Sequence, residues 1–502
     1  MADHPERRKA GVLLHPTSLP GPFGIGDLGP AAYHFVDFLA SAGQRLWQVL
    51  PLAPPGAGHS PYAARSTFAG NPLLISPELL RDDGLLDDGD LAAAGLPEEG
   101  RVPWDEVAAR REILLRTACD RWRGQGRSHE AGDFRARAHW LGDYALFMAL
   151  RRKYCDVSWL DWPADLRRRT PAALEAAREE LAGEVALHEF VQWAFDRQWA
   201  AIRRYAHERE VALMGDMPIF VDHDSADTWS NQHIFKLDAD GRPVSVAGVP
   251  PDAFSATGQR WGNPLYDWEA LAGDGYGWWR DRLAWALAQV DVLRLDHFRG
   301  FEAAWEIPAD EPTAVNGAWV PGPGRALFDA LTAALGPLSV VAEDLGVITR
   351  QVRALCDGLG YPGMKVLQFA FGDDAANPYL PHNLDPRSVM YTGTHDNDTT
   401  AGWFATAGDL ELANLRRYLA CETPAPDDLI RMAYRSVSEL AILPMQDVLG
   451  MGSEARMNVP GEPDGNWGWR FRWSDLPAGR HEWLRELART YGRWGLPEKD
   501  PA

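Results

Sequence analysis

The chain has 502 residues, of which 46% are hydrophobic and 24% charged, and a formal net charge of −21. This is the balance of a soluble globular protein, and it argues against nucleic acid or an anionic membrane as a partner, because both repel an acidic surface. The length exceeds the roughly 250 residues of a minimal barrel, so the chain holds two domains or one barrel with large insertions. Taken from the N-terminus, Met1–Lys9 is charged and only Gly11–Leu14 is apolar before His15-Pro16. That is too short for a signal-sequence core, and no apolar run reaches membrane-spanning length, so a cytoplasmic protein is expected. The four cysteines, Cys119, Cys155, Cys356 and Cys421, show no metal-ligand spacing and read as buried free thiols.

Eight short apolar runs with polar ends are predicted as strands: Gly11–His15, Arg45–Leu52, Val211–Ile219, Val292–Phe298, Leu338–Leu345, Met364–Phe371, Ser388–Asp396 and Ala441–Leu449. Helix-like segments at Ala31–Ala42, Ala326–Leu335 and Thr349–Gly358 separate several of them. Eight strand–helix units predict an α/β fold, a single (β/α)8 TIM barrel spanning residues 1–502. Two insertions are expected within it. Residues 53–210 read as a mainly helical subdomain, with helices at Trp104–Trp122, Ala136–Lys153, Pro171–Ala182 and Glu184–Arg209. Residues 222–270 read as a loop-rich subdomain near the active-site cleft, with Asp240-Gly241 marking a hairpin turn in Lys236–Ala247. A Gly/Trp-rich loop, Met451–Trp473, and a helix near His481–Tyr491 follow the eighth strand, so no C-terminal β-sandwich is expected, and Pro497–Ala502 read as frayed.

The stretch Asp291–Gly300 changes abruptly from the apolar Leu293 and Leu295 to Asp296, His297 and Arg299. A parallel barrel strand does this at its carboxyl end, the face that carries barrel active sites. Arg294 and Asp296 are two residues apart and share one side of the strand, so the cation holds the carboxylate ionised. Such a carboxylate is a candidate nucleophile; a structural ion pair closing the strand is the other reading. Acidic residues recur at the predicted strand ends: Asp216, Asp296, Glu343 and Asp396. Crowded like charges are costly, and glycosidic chemistry is a reason to accept the cost. A retaining mechanism needs one carboxylate to attack and one carboxylic acid to protonate the leaving oxygen, about 5–5.5 Å apart. Neighbouring strands roughly 4.8 Å apart suit Asp296 and Glu343 for those roles.

Other motifs lead elsewhere only weakly. Gly24–Gly29 matches GxGxxG, but Pro16–Phe23 separates it from the preceding strand and no ribose-binding acid follows. Asp222-His-Asp224 and Asp227 lack a calcium-loop spacing and read as caps and rim charges. Of the 22 tryptophans, Trp229, Trp261, Trp467 and Trp469 lie in Gly/Pro/Asn-rich stretches, where they suit either sugar faces or the packing of long loops.

Taken together, the motifs resemble the 4-α-glucanotransferases of the amylomaltase or disproportionating-enzyme type. The resemblance runs in order through His15–Gly24, Ser60-Pro-Tyr62, Ala69–Pro72, Gly215–Pro218, Gly258–Pro264, Arg294–Gly300, Ala342–Gly346, Thr394–Thr399, Arg456–Gly461 and Gly465–Trp467. It implies transfer of an α-1,4-glucan segment to the 4-hydroxyl of another glucan or of glucose, through a covalent glycosyl-enzyme, and extends to cyclising long amylose. It also implies Asp296 as nucleophile, Glu343 as acid/base and Asp396 as ligand of the 2- and 3-hydroxyls. Arg294, Asp216 and His395 match the supporting shell, and Tyr62 the ring stacked on the sugar before the scissile bond. Gln259, Trp261 and Asn458 match positions along the glucan groove. The substrates implied are α-1,4-glucans, maltooligosaccharides and glucose, with no cofactor, no metal, no nucleic acid and no membrane, in a monomer or weak homo-oligomer. One departure stands out: family members whose turn before Ser-Pro-Tyr reads Gly-Tyr-Gly bind glucan outside the active site with that tyrosine, and here the turn is Gly56-Ala57-Gly58.

Overall fold

The structure is a computed structural model that describes residues 8–251 and 255–494. The predicted frayed end, Pro497–Ala502, lies outside the described residues. In chain order the strands are β1 (Lys9–Leu13), β2 (Leu46–Gln48), β3 (Ala212–Pro218), β4 (Ser245–Val249), β5 (Gln259–Pro264), β6 (Val292–Asp296), β7 (Ala303–Pro308), β8 (Ala318–Pro321), β9 (Val340–Ala342), β10 (Gly363–Val366), β11 (Ser388–Tyr391) and β12 (Leu440–Pro444). Eight of them close into a barrel in the order β1-β12-β11-β10-β9-β6-β3-β2. Every pair around it is parallel. Each predicted strand overlaps one barrel strand, so the expected (β/α)8 fold is the observed one. Val12, Leu46, Leu213, Leu293, Val341, Met364, Val389 and Ile442 are buried along the barrel wall, which is why these runs carry so few polar residues.

The strands end sooner than their apolar runs. Ala441–Leu449 leaves the sheet at Pro444 and turns into a helix, Met445–Leu449. Ser388–Asp396 stops at Tyr391, which puts Asp396 five residues beyond the strand rather than at its end. After β12 the apolar run continues because the turn packs into the core at the barrel mouth, with Val448 and Leu449 buried.

Between β2 and β3 the chain builds helices, among them Trp104–Gly124, Leu141–Lys153 and the 26-residue Ala182–His207. The last returns the chain to the barrel, burying Phe190, Trp193, Phe195, Trp199 and Ile202. These residues belong to the same apolar cluster as the barrel strands. Gln192, on this helix, clasps Gly70 with two hydrogen bonds, accepting from its N–H at 2.7 Å and donating to its carbonyl at 2.9 Å. A Cβ at Gly70 would fall inside the Phe195 ring, so glycine is what permits this close approach.

Four strands escape the barrel and form an antiparallel sheet in the order β5-β4-β7-β8. The sequence reading foresees only the turn beside it, where Gly241 at φ 83 follows Asp238 and Leu237 pairs with Pro243. After β12 the described residues add no further strand, only a single bridge from Trp494 to Lys9. Among the described residues no helix is long and apolar enough to cross a membrane. All four cysteines are unbonded; Cys119 and Cys356 are buried as expected, but Cys421 is only half-buried, and Cys155 is exposed because it sits in a left-handed turn, at φ 56, after the helix ending at Lys153.

Candidate active site

The mouth of the barrel is built around Arg294. From β6 its Nη1 donates to both oxygens of Asp216 on β3, at 2.8 and 2.6 Å, while Nη2 lies 2.8 Å from Oδ1 of Asp296. The register explains the arrangement: Asp216 pairs with Arg294 and Pro218 with Asp296 across β3 and β6. The guanidinium is 3% exposed. Burial opposes its charge, but Asp216 and then Asp296 hold its pKa well above the ordinary value. Asp216 lies within β3, not after it, and its side chain is sealed from solvent. Tyr62 closes the top by donating from its hydroxyl to Asp216 Oδ2 at 2.8 Å. Burial, and then Asp216, raise the Tyr62 phenol well above its usual range, so it stays a donor.

Glu343 follows β9 directly, as Asp296 ends β6, and the paired Leu295 and Ala342 make the two acids neighbours. Backbone N–H groups of His297 and Leu345 donate to its two oxygens at 2.7 and 2.9 Å. Even so, burial first and the negative Asp296 second push its carboxyl up to about 8. Burial is the larger of the two causes. A carboxylic acid can accept one bond at each oxygen and still donate its proton, so the two N–H contacts aim the group without consuming it. His297 reaches this position in the left-handed region, φ 51 and ψ 49, which a histidine adopts more readily than a branched residue.

Asp396 stands across the mouth. Asn458 donates to its Oδ1 at 2.6 Å, and His395 Nε2 lies 3.4 Å from the same oxygen. Arg456 donates to the Asp396 carbonyl at 2.6 Å and to the Asn458 carbonyl at 2.9 Å, binding two distant loops together. The His395 ring stacks on Tyr62, with centroids 5.1 Å apart and planes 11° from parallel. Gln259 and Trp261 come from β5 of the second sheet; Trp261 donates to Gln259 Oε1 at 3.0 Å and meets the His297 ring edge-on at 4.7 Å. All ten residues singled out from the sequence therefore stand on this face. Of the four loop tryptophans only Trp261 is open, at 39% exposure, and Trp229, Trp467 and Trp469 are packing residues.

Two residues that open motifs noted in the sequence, Arg456 and His15, take a part that the sequence does not assign. Arg456 is two residues from Asn458, but its carbonyl targets are visible only in the folded loop. His15, just past β1, is buried and shares a 20 Å³ cavity with His395. Burial, and then His395, lower the His15 imidazole to about 3, which keeps it neutral. At the turn that lacks a tyrosine, His59 stacks flat on Trp104 at 4.7 Å beside the exposed Ala57. The acids Asp222, Asp224 and Asp227 serve as cap and pairing groups, and among the described residues no cluster of three or more such ligands is arranged to hold a metal.

A family model described as 4-alpha-glucanotransferase matches residues 14–475, which takes in every residue of this site. The chain belongs to the 4-alpha-glucanotransferase family. It is 50% identical to the 4-alpha-glucanotransferase of Thermus thermophilus over 499 residues, covering 97% of this chain and 99% of the relative. With the chloroplastic/amyloplastic 4-alpha-glucanotransferase of Solanum tuberosum it shares 46% identity, over 98% of this chain and 87% of that one. The amylomaltase from Streptococcus agalactiae, solved in complex with acarbose, superposes with a TM-score of 0.95 at 37% identity, over 97% of this chain and 100% of that one.

The Arg294 arrangement makes a direct prediction. Arg294→Met leaves Asp216 buried without its partner and is expected to cost about 3–5 kcal/mol of stability. Adding Asp216→Asn removes the orphaned charge and should restore much of that loss. Denaturant titration of the single and double variants checks this, and an additive double variant contradicts it.

Proposed function

We propose that this family member transfers α-1,4-glucan segments by double displacement, with Asp296 as nucleophile and Glu343 as acid and then base. The observation that carries the reading is a carboxyl held protonated to about pH 8 beside an arginine-paired carboxylate on the neighbouring strand. In the first step Asp296 Oδ2, the oxygen not held by Arg294, attacks the anomeric carbon. The glycosidic bond breaks as Glu343 gives its proton to the departing oxygen. In the second step Glu343 takes the proton of an acceptor 4-hydroxyl, which displaces Asp296 and regenerates the α-linkage. Asp396, fixed through Oδ1 by Asn458, presents Oδ2 to the 2- and 3-hydroxyls. Tyr62 offers a ring face to the same sugar.

The segment 53–210 supplies Tyr62 and the segment 222–270 supplies Gln259 and Trp261, and we assign both as walls of the glucan groove. Maltooligosaccharides serve as donors, with glucose and shorter glucans as acceptors; cyclisation is the case in which a long donor's own end accepts. That a neighbour was solved with acarbose supports a site of this kind. Four unbonded thiols fit a reducing cytoplasm.

Transfer rather than hydrolysis depends on an acceptor outcompeting water at roughly 55 M. A held and aligned hydroxyl reaches effective molarities of about 10⁵ M or more, so a bound sugar wins if the groove aligns it. With maltotriose as sole substrate, glucose and longer oligomers should accumulate while the number of reducing ends stays nearly constant. Reducing ends that rise in step with glucose from the start identify a hydrolase instead.

The raised carboxyl sets a second expectation. Glu343 must be protonated for the first step, so activity should fall as pH rises through about 8, the value to which it is held. The same shift acts on stability. A carboxyl that binds its proton more tightly folded than unfolded favours the fold below its ordinary range and loses that contribution as pH rises toward 8. Glu343→Gln, which cannot ionise, should therefore gain stability over the parent across that interval. A pH–rate profile and paired melting curves check both; an alkaline limb that persists unchanged in the Glu343→Gln variant, or no relative gain, contradicts the assignment.

A further inference from the structure

Tyr62 rides on a segment, residues 51–71, that arches over a cavity of about 80 Å³ bordered by Leu52, Tyr62, Phe68, Asp216, Phe220 and Arg282. Where atoms are missing beneath a chain segment, dispersion contacts cannot fix its height. The segment is nonetheless internally stiff. Gly56 N–H donates to the Ala63 carbonyl at 2.6 Å, Arg65 N–H to that of Pro54 at 2.9 Å, and Pro55 bridges Ala64. Tyr62 and Arg65 therefore belong to one stiff segment, and the hold on Arg65 helps to place the Tyr62 ring together with its own bond to Asp216 and its stacking on His395.

Arg65 is held through its side chain by Asp224 and through its carbonyl by the Ala226 N–H at 2.8 Å. Its Nη1 lies 2.7 Å from Asp224 Oδ2 and 3.0 Å from the Asp224 carbonyl. The same Oδ2 accepts from Arg151 Nη1 at 2.6 Å. Arg151 projects from the Leu141–Lys153 helix, is 2% exposed, and is itself fixed by Asp156 at 2.7 and 2.8 Å. Asp224 Oδ1 receives the Trp159 N–H at 3.3 Å, and Asp224's own N–H is anchored on Asp222 at 2.8 Å. One carboxylate thus joins the Tyr62 segment, the helical insertion and the turn after β3. A second pin acts further along, where Asp227 accepts the Thr67 N–H at 2.7 Å and Arg282 Nε donates to the Thr67 hydroxyl at 2.9 Å.

We propose that Asp224 is a positioning residue for the reaction, setting the Tyr62 ring over the bound sugar through Arg65 without touching substrate itself. The inference rests on Tyr62 bearing a sugar, as argued above. It differs from a purely structural role in what it demands of Tyr62. If Asp224 works by placing that ring, losing Asp224 should cost nothing further once the ring is gone.

A double-mutant cycle of Asp224→Asn and Tyr62→Ala, read as kcat/KM for maltotriose disproportionation, tests this. With Tyr62 present, Asp224→Asn should lower kcat/KM roughly tenfold or more, the scale on which a misplaced site group acts. In the Tyr62→Ala background the loss should shrink to less than about twofold, a non-additivity that unconnected sites do not show. Arg65→Met should reproduce the pattern from the segment's side, and it carries the test if Asp224→Asn does not fold. Equal losses in both backgrounds, or no loss in either, overturn the proposal while leaving the mechanism standing. If Tyr62→Ala alone changes nothing, the sugar-bearing role of the ring fails and this inference fails with it.

Discussion

At the centre of the barrel a single guanidinium has to satisfy two carboxylates on two strands. Arg294 spends Nη1 on both oxygens of Asp216 and Nη2 on one oxygen of Asp296. A buried cation in this position is tolerable only because two negative groups surround it, and each of those groups is tolerable only because of the cation. The rest of the site is arranged about that mutual dependence. Asp216 keeps a lone pair for Tyr62, which brings the ring across the mouth. Asp296 adds its negative charge to the burial that keeps Glu343 protonated. Glu343 thus keeps its proton beside an arginine-paired carboxylate on the neighbouring strand.

The backbone absorbs the geometric cost of this arrangement. His297 takes a left-handed conformation so that its N–H can turn toward Glu343, and the Leu345 N–H does the same from the other side. These two donors favour the ionised acid, in opposition to burial. The balance leaves Glu343 in a range where it can both lose and regain a proton near neutral pH. Asp396 is served differently, by side chains from a late loop, and that loop is held by Arg456 reaching two backbone carbonyls. Asp296 and Glu343 are thus fixed by strands, and Asp396 by loops.

What the sequence makes legible follows from the range of the interactions involved. The Arg294–Asp296 pair is local, two residues on one strand, and its alternation shows in the string. So do the eight barrel strands, because buried parallel strands are continuously apolar. Their ends are less legible: Met445–Leu449 is as apolar as the strand before it and yet is helical. The four-stranded sheet is hidden because β8 reads Ala-Trp-Val-Pro and is largely exposed, with no period to mark it. Asp224 is hidden for a third reason: its partners Arg65 and Arg151 are 159 and 73 residues away, and nothing in their spacing announces the contact. The tryptophans mislead in the same manner, since a glycine-rich setting does not distinguish the buried Trp467 from the open Trp261.

The central claim is that Asp296 becomes covalently bonded to the sugar while Glu343 only moves protons. The fluoride of α-maltosyl fluoride departs without protonation as the carboxylate bonds to the anomeric carbon, and an enzyme with Gln in place of Glu343 lacks the base needed to release the intermediate. Mass spectrometry of that variant after incubation with maltosyl fluoride is therefore the most direct measurement. The account predicts one maltosyl group added to the protein, located by fragmentation on Asp296. A sugar located on any other carboxylate, or fluoride released steadily with no adduct at any time, contradicts it.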